Sequence, residues 1–227
     1  VSARFDTGNL QGGPGLRTAG PTREAIDPVR FISNHSSGKQ GYALAAAAAD
    51  AGANVILVSG PTNLSPPERV EHVPVISAMQ MHEAVQARVG DVDVFIGVAA
   101  VADYRPTLTQ SQTIKTATHG KSTLTLELVE NPDIIAEVAA RKNKPFTVGF
   151  AAETEQLETF ARKKLAQKNL DMIVANNVSN TDIGFNSDQN AITVYEQDDS
   201  LDLPMMSKRA LSEKLIDRIA EHLRAKP

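Results

Sequence analysis

Residues 38–58 read GKQGYALAAAAADAGANVILV and contain a helix followed directly by a buried strand. The helical pattern runs to Ala51 and is ended by Gly52, and residues 54–58 form an apolar run typical of a central strand. The alanines at 45–49 allow a helix to approach a sheet closely, which suits a chain with 4% aromatic residues and no tryptophan. We therefore predict an alanine-rich helix packed on an aliphatic strand.

The alternation of strand and helix continues on both sides of this unit. It predicts parallel strands joined by crossover helices, hence a Rossmann-like, doubly wound, mostly parallel α/β sheet whose ligands bind outside the carboxyl ends of the strands. Arg17 interrupts the first predicted strand with a charge, so its sequence is less apolar than that of a typical buried central strand. The further predicted strands are 16–19, 70–75, 92–98, 146–151, 172–175 and 191–195, and the further helices are 77–88, 153–169 and 208–223.

The middle of the chain departs from this rhythm. Residues 103–122 are polar, and residues 123–128 alternate with the period of a half-exposed strand, so we expect an extra β flap or arm. Asn131 is the expected cap of a helix that has Pro132 in its first turn. We interpret residues 1–14 as a tail or linker remnant and residues 15–227 as a single domain.

Composition excludes several classes of protein. The formal net charge of -4 argues against sequence-independent binding to duplex nucleic acid. The absence of cysteine excludes disulfides, thiolate metal sites and a cysteine nucleophile. The N-terminus lacks a basic segment followed by an apolar core, and no apolar run approaches the ~18 residues of a membrane span. We expect a cytoplasmic protein with neither nucleic-acid nor membrane partners.

Small residues follow the strand at 92–98. Ala99 and Ala100 would let a planar ring or ribose approach the backbone, and Asp103 could accept hydrogen bonds from ribose hydroxyls. Small-residue packing with Asp103 as a helix cap explains the same pattern equally well.

The loop at 33–39 precedes the alanine-rich helix and fits neither a Walker A loop nor G-x-G-x-x-G. Ser36, Ser37 and Gly38 could bind a phosphate at the helix N-terminus, although helix capping by the serines is the simpler interpretation. Asn34 could donate to a developing oxyanion or merely hold its own turn.

Two lysines interrupt the apolar face of the helix at 153–169. Because Lys164 and Lys168 lie one turn apart on that face, they must extend to solvent or meet an anion such as a polyphosphate. The sequence leaves both alternatives open. The apolar positions are Leu157, Phe160, Ala161 and Leu165.

Several motifs resemble, in order, those of the phosphopantothenate-cysteine ligase family, also called phosphopantothenoylcysteine synthetase. The resemblance extends from about Leu16 to the C-terminus. The matching segments are residues 19–24, 27–39, 99–104, 131–134, 149–154 and 184–188.

The resemblance implies a nucleotide-binding ligase domain of coenzyme A biosynthesis. It implies that CTP, with Mg²⁺, activates 4'-phosphopantothenate to an acyl-cytidylate, which L-cysteine then converts to the amide. It further implies a homodimer, in many bacteria fused behind a flavin-dependent decarboxylase, with Asn34 serving amide formation. The implied nucleotide-binding residues are Ala99, Ala100, Asp103, Lys115, Pro132, Asp133, Ile134, Ile135, Phe150, Lys164 and Lys168; the metal ligands are unknown.

One loop departs from the family pattern. Residues 113–116 read Thr-Ile-Lys-Thr where the family usually has Lys-Ile-Lys-Lys, so Thr113 replaces a lysine that binds nucleotide in the family. Lys115 could substitute for it. A catalytically impaired nucleotide-binding sensor or scaffold is therefore the alternative function, whereas a nicotinamide oxidoreductase would need a glycine fingerprint that is missing.

Overall fold

The computed structural model describes residue 10 and residues 12–115, 123–153, 156–177 and 187–225. Its core is an eight-stranded sheet in the order β12-β11-β10-β9-β6-β1-β4-β5. The six strands from β10 to β5 are parallel, and β11 and β12 continue the sheet antiparallel. The predicted doubly wound, mostly parallel α/β sheet is therefore confirmed. The strands are β1 Pro14–Ala19, β2 Glu24–Ala25, β3 Phe31–Ile32, β4 Asn54–Ser59, β5 Val70–Pro74, β6 Val94–Gly97, β7 Tyr104–Pro106, β8 Leu128–Glu130, β9 Phe146–Glu153, β10 Met172–Asn177, β11 Gln189–Tyr195 and β12 Ser200–Ser207.

Helices cover both faces of the sheet. The alanine-rich helix α1 and the C-terminal helix α5 pack on one face, where Leu44, Leu57 and Leu215 belong to one apolar core. A second core lies on the other face, where Met81 and Val138 pack against Leu16. The α-helices are α1 Lys39–Asp50, α2 Ala78–Gln86, α3 Ile134–Ala139, α4 Leu157–Gln167 and α5 Lys208–Ala225, with a 3-10 turn at Val89–Asp91.

The first strand is central, contrary to the expectation that Arg17 raised. β1 lies between β4 and β6, and its residues from Gly15 to Ala19 are all buried. Arg17 is 1% exposed. A β-carbon built on Gly15 would lie 2.8 Å from Arg17 Nη1, so the guanidinium occupies the space that a side chain on Gly15 would fill. The small size of Gly15 thus makes room for Arg17, a charged residue that the apolar pattern of a central strand disfavours.

Leu10 and residues 12–14, which were expected to be part of a tail, are joined to the domain. Leu10 and Gly12 donate backbone hydrogen bonds to Ala51 and Gly52, beyond the end of α1, at 3.1 Å each, and β1 begins at Pro14. The rest of the expected tail, residues 1–9 and residue 11, lies outside the described residues.

One predicted helix cap and one predicted strand–helix boundary were wrong, and one strand was not predicted. The cap of α3 is Asp133, whose carboxylate accepts from Ala136 N, because the amide of Asn131 donates instead to the Ala102 carbonyl at 2.8 Å. β9 extends through Glu153, so α4 begins only at Leu157. The edge strand β12 was not predicted.

The described part of the predicted flap is a short arm, and residues 116–122 lie outside the described residues. β8 pairs antiparallel with β7, whereas residues 123–127, which carry most of the alternating pattern, form no regular strand. Among the described residues, no helix is both long and apolar enough to cross a membrane.

Candidate functional site

The site lies where the strand order reverses, between the carboxyl ends of β1 and β6. The loops that follow these strands are joined: Ala100 N donates to Gly20 O at 3.0 Å, and Thr22 N donates to Ala100 O at 3.2 Å. The buried hydroxyl of Thr22 accepts from Ala102 N at 3.0 Å. This is the position at which open parallel sheets bind ligands. The joined loops form the floor of a cleft with two compartments.

The first, which we call the lysine compartment, is a cavity of about 320 Å³. It is lined by Lys39 from α1, Lys164 from α4 and Lys208 from α5, together with the predicted phosphate-loop residues Ser36, Ser37 and Gly38. Asp103 is the one carboxylate residue among its described lining residues. A compartment with three ammonium groups and one carboxylate suits a polyanion.

The second, which we call the Asn-Pro-Asp compartment after residues 131–133, is a cavity of about 370 Å³. Its walls combine the apolar side chains of Phe95, Ile134 and Ile135 with the carboxylates of Glu130 and Asp133. The two compartments share Ala99, Val101, Asp103 and Phe150, so they are two halves of one cleft.

The structure therefore brings most of the predicted nucleotide-binding residues together, while their roles stay predictions. Some of these residues line one compartment, some line the other, and three line both. Ala99, Asp103 and Phe150 line both compartments, Ala100 and Lys164 line the lysine compartment, and Pro132, Asp133, Ile134, Ile135 and Lys168 line the Asn-Pro-Asp compartment.

Lys164 of α4 and Lys168, the C-cap residue of that helix, line different compartments. Lys168 Nζ lies 2.8 Å from the carboxylate of Asp133, so its first partner is a protein anion. On the same helix Ala161 and Leu165 are buried as predicted, but Phe160 is 41% exposed and does not belong to the buried face.

The loop before α1 forms one wall of the cleft. Gly38 is the N-cap of α1 with φ +79°, and α1 has no side-chain cap, so the serines do not cap the helix. They instead accept loop hydrogen bonds, Gly38 N to Ser36 Oγ at 3.3 Å and Lys39 N to Ser37 Oγ at 3.5 Å. A β-carbon on Gly38 would lie 2.7 Å from the Thr62 methyl group, so this position requires glycine for both conformation and space.

Asn34 connects this loop to the strand end. Its Nδ2 donates to the Ala100 carbonyl at 2.7 Å, and its Oδ1 accepts from Ser36 N at 3.0 Å. It lines a third cavity of about 470 Å³, the outer cavity, with Arg23, Phe31 and His35. Because Ser36, Ser37 and Lys39 line both this cavity and the lysine compartment, Asn34 lies at the junction of the two.

Lys208 is the residue that sequence reasoning missed. It begins α5, is 6% exposed and lines the lysine compartment. Burial, and then the charge of Lys39, lower the pKa of its ammonium to about 8. In the sequence it looks like the ordinary polar start of a helix, and only its place in the fold brings it to the cleft.

Thr113 and Lys115 lie outside the described linings of the cleft compartments. The residue between them is fixed to the segment before β3: Ile114 N donates to Asp27 at 3.1 Å, and Arg30 Nη2 donates to Ile114 O at 2.7 Å. The Arg30 guanidinium holds the pKa of Asp27 well below its usual range. Ile114 is therefore anchored to the Asp27–Arg30 ion pair.

The described residues contain no group of three or more His, Asp or Glu side chains that could hold a metal ion. Asp103 is the one carboxylate residue that the described lining of the lysine compartment supplies.

Comparison with known proteins places the chain in a family. The family model described as the DNA/pantothenate metabolism flavoprotein C-terminal domain matches residues 10–223. The coenzyme A biosynthesis bifunctional protein CoaBC of Vibrio parahaemolyticus is 57% identical over 213 residues, which are 93% of this chain and 53% of that protein. CoaBC of Escherichia coli K12 is 53% identical over 203 residues, which are 89% of this chain and 50% of that protein.

A solved structure has the same fold. The crystal structure of the C-terminal domain of CoaBC superposes with a TM-score of 0.81 at 43% identity, covering 95% of this chain and 98% of that one. The chain spans about half the length of the two full-length relatives.

Proposed function

The chain belongs to the DNA/pantothenate metabolism flavoprotein C-terminal domain family, and we propose that it is the ligase unit of a coenzyme A biosynthesis protein. It would join 4'-phosphopantothenate to L-cysteine, with CTP as the activating nucleotide. The carboxylate attacks the α-phosphorus to give an acyl-cytidylate and pyrophosphate. The cysteine amine then attacks the acyl carbon, releasing CMP and 4'-phosphopantothenoylcysteine. The observation that carries the proposal is the two-part cleft at the β1/β6 switch point, where the family motifs converge.

The two compartments differ in the part of a nucleotide that they suit. The Asn-Pro-Asp compartment offers apolar walls from Ile134 and Ile135 to a base and ribose. The lysine compartment offers ammonium groups to the phosphates. Asp103 and Phe150 line both, so they would border the junction between the ribose and the α-phosphate. This division supports a nucleoside triphosphate that spans the cleft.

Asn34 is suited to the second half-reaction. Because its Oδ1 and one Nδ2 hydrogen are held by Ser36 N and Ala100 O, the side chain is oriented before substrate arrives. Its second Nδ2 hydrogen would donate to the oxyanion that forms when the amine attacks the acyl carbon. The outer cavity beside it, with Arg23 at its wall, would take the 4'-phosphopantothenate.

Mg²⁺ would enter as part of the nucleotide substrate. Since the described residues provide no three-ligand metal site, the phosphate oxygens of CTP would be its principal ligands, as is usual for Mg²⁺ in phosphoryl-transfer sites. The ion supplies charge neutralisation of the phosphates. Lys164 and its neighbours would hold the complex.

The bifunctional relatives support fusion to a flavin-dependent decarboxylase in the full-length, cytoplasmic protein.

A homodimer is supported by exposed apolar side chains on and near the short strands β3 and β7. Val29, Phe31 and Tyr104 are 65%, 48% and 53% exposed, and Leu108 is 68% exposed. Such a concentration of exposed apolar groups is typical of a protein interface.

The test is to incubate the chain with Mg-CTP, 4'-phosphopantothenate and L-cysteine and to follow 4'-phosphopantothenoylcysteine and CMP by mass spectrometry. The proposal requires both products in equal amounts. If CTP binds but neither product forms, the catalytically impaired sensor or scaffold, which the Thr113 substitution favours, is the better account. Parallel reactions with ATP establish which nucleotide is used.

A further inference from the structure

The lysine compartment contains a cation that no family motif accounts for. Lys39, Lys164 and Lys208 come from three separate helices, and Asp103 is the one carboxylate residue of the described lining. Lys164 belongs to the residues that the family resemblance implies, whereas Lys208 follows the edge strand β12 and lies outside all the matching segments. The compartment therefore has more positive charge than the recognised motifs provide.

Lys208 is fixed in place by its backbone. Its N–H donates to the Asp188 carbonyl at 2.9 Å, and its own carbonyl accepts from Ser212 Oγ at 2.6 Å. Gln40 of α1 donates to the same Ser212 hydroxyl at 2.9 Å. The first turns of α1 and α5 are thereby joined, and Lys208 is held on the compartment wall beside Lys39.

Burial of Lys208 in this position opposes its charge. Residue 208 is 6% exposed, and Lys39 adds a like charge beside it. The nearby carboxylate of Asp188 is 2.7 Å from Lys39 Nζ and is itself 88% exposed. It raises the pKa of Lys208 by less than burial and Lys39 lower it. The pKa of Lys208 falls to about 8 for these reasons. An anion that entered the compartment would favour the charged form of Lys208.

We propose that Lys208 binds the outer phosphates of the nucleotide, the pair that leaves as pyrophosphate. This inference rests on the proposed function. Lys208 lines the lysine compartment but not the Asn-Pro-Asp compartment, whereas Asp103 and Phe150 line both. A triphosphate that starts at the shared residues and extends away from the nucleoside would therefore reach Lys208 with its β- and γ-phosphates.

The test is isothermal titration calorimetry of the full chain with CTP, inorganic pyrophosphate and CMP, each in the presence of Mg²⁺. Lys208→Met removes the charge while keeping an unbranched apolar stem that suits a buried position. Arg209→Met is the matched control, since Arg209 is the next residue on α5, has a 79% exposed side chain and does not line the cleft. Thermal melts confirm that the variants fold, and Lys208→Gln replaces Lys208→Met if it does not.

Lys208→Met should weaken CTP and pyrophosphate about 10-fold or more, as expected for one lost charge-assisted hydrogen bond, and CMP less than about 2-fold. The control should leave all three affinities unchanged. Equal affinities in Lys208→Met and the unsubstituted chain would overturn the inference, and so would a loss of CMP affinity as large as that of CTP. If the unsubstituted chain binds neither CTP nor pyrophosphate, both the proposed function and this inference fail. Retained pyrophosphate binding that depends on Lys208, without turnover, would support the inference alone.

Discussion

Replacing Arg17 by methionine should stabilise the fold. Arg17 lies in the central strand β1, is 1% exposed, and finds no hydrogen-bond partner for its Nε and Nη1 among the described residues. A buried charged group with unsatisfied N–H donors is costly in a protein interior. Methionine is unbranched and can follow the same path over Gly15, so the substitution removes the charge without leaving a large cavity.

The size of the effect follows from the guanidinium itself. Burial lowers the pKa of Arg17 from its ordinary value of 12.5 to about 10. Because one pKa unit corresponds to about 1.4 kcal/mol, holding the charge in the interior costs on the order of 3 kcal/mol. The group stays protonated in the folded and unfolded chains below pH 10, and this cost is relieved only as the pH rises through that value. The gain from Arg17→Met should therefore be constant between about pH 6 and 9.

Urea denaturation at fixed protein concentration measures the effect. Arg17→Met should raise the free energy of unfolding by about 2–3 kcal/mol, which for a chain of this size raises the Tm by roughly 2–4 °C per kcal/mol. Arg209→Met, at an exposed arginine, should change it by less than about 0.5 kcal/mol. A loss of stability of 1 kcal/mol or more in Arg17→Met would show that the guanidinium has a stabilising partner, and it would refute this reasoning.

Three further predictions concern the site. Thr113→Lys should raise turnover or CTP affinity in steady-state assays, since it restores the lysine to which the family resemblance assigns nucleotide binding; unchanged values of both would count against a role for this position. Asn34→Asp should still release pyrophosphate from CTP and 4'-phosphopantothenate but lose amide formation, because a carboxylate cannot donate to the oxyanion; normal product formation would remove Asn34 from the second step. Asp27→Asn should speed hydrogen exchange at the Ile114 amide, which loses a charged acceptor, and an unchanged exchange rate would mean that the loop is held by other contacts.

The sequence predicted the parallel core of the fold well because several signals there, namely the helix pattern, the strand pattern and the order of the elements, indicate the same structure. The run at Ala45–Ala49 and the aliphatic strand beyond it have one consistent arrangement, which the structure confirms. β12 was missed because Pro204 and its alternating polar residues are typical of a solvent-facing edge rather than a buried strand. The position of Arg17 was predicted wrongly because the space for its side chain is provided by Gly15, and hydrophobic periodicity does not show which side chains lie next to each other.

Site residues could be predicted where they belong to one local motif, but not where segments distant in sequence come together in the fold. Helical geometry alone marked Lys164 and Lys168 as unusual, and both line the cleft. The pairing of the loops at Gly20 and Ala100 consists of backbone hydrogen bonds, which residue identities do not reveal. Lys208 reaches the cleft only because β12 and α5 close the sheet beside α1, and this is a property of topology.

Release of pyrophosphate from CTP, measured with and without 4'-phosphopantothenate and in the absence of cysteine, tests the central claim most directly. If the cleft activates the carboxylate as an acyl-cytidylate, pyrophosphate must appear when the acid is present and must not appear without it. Release that is independent of 4'-phosphopantothenate, or no release from a chain that binds CTP, would contradict the assignment of this cleft as a ligase site.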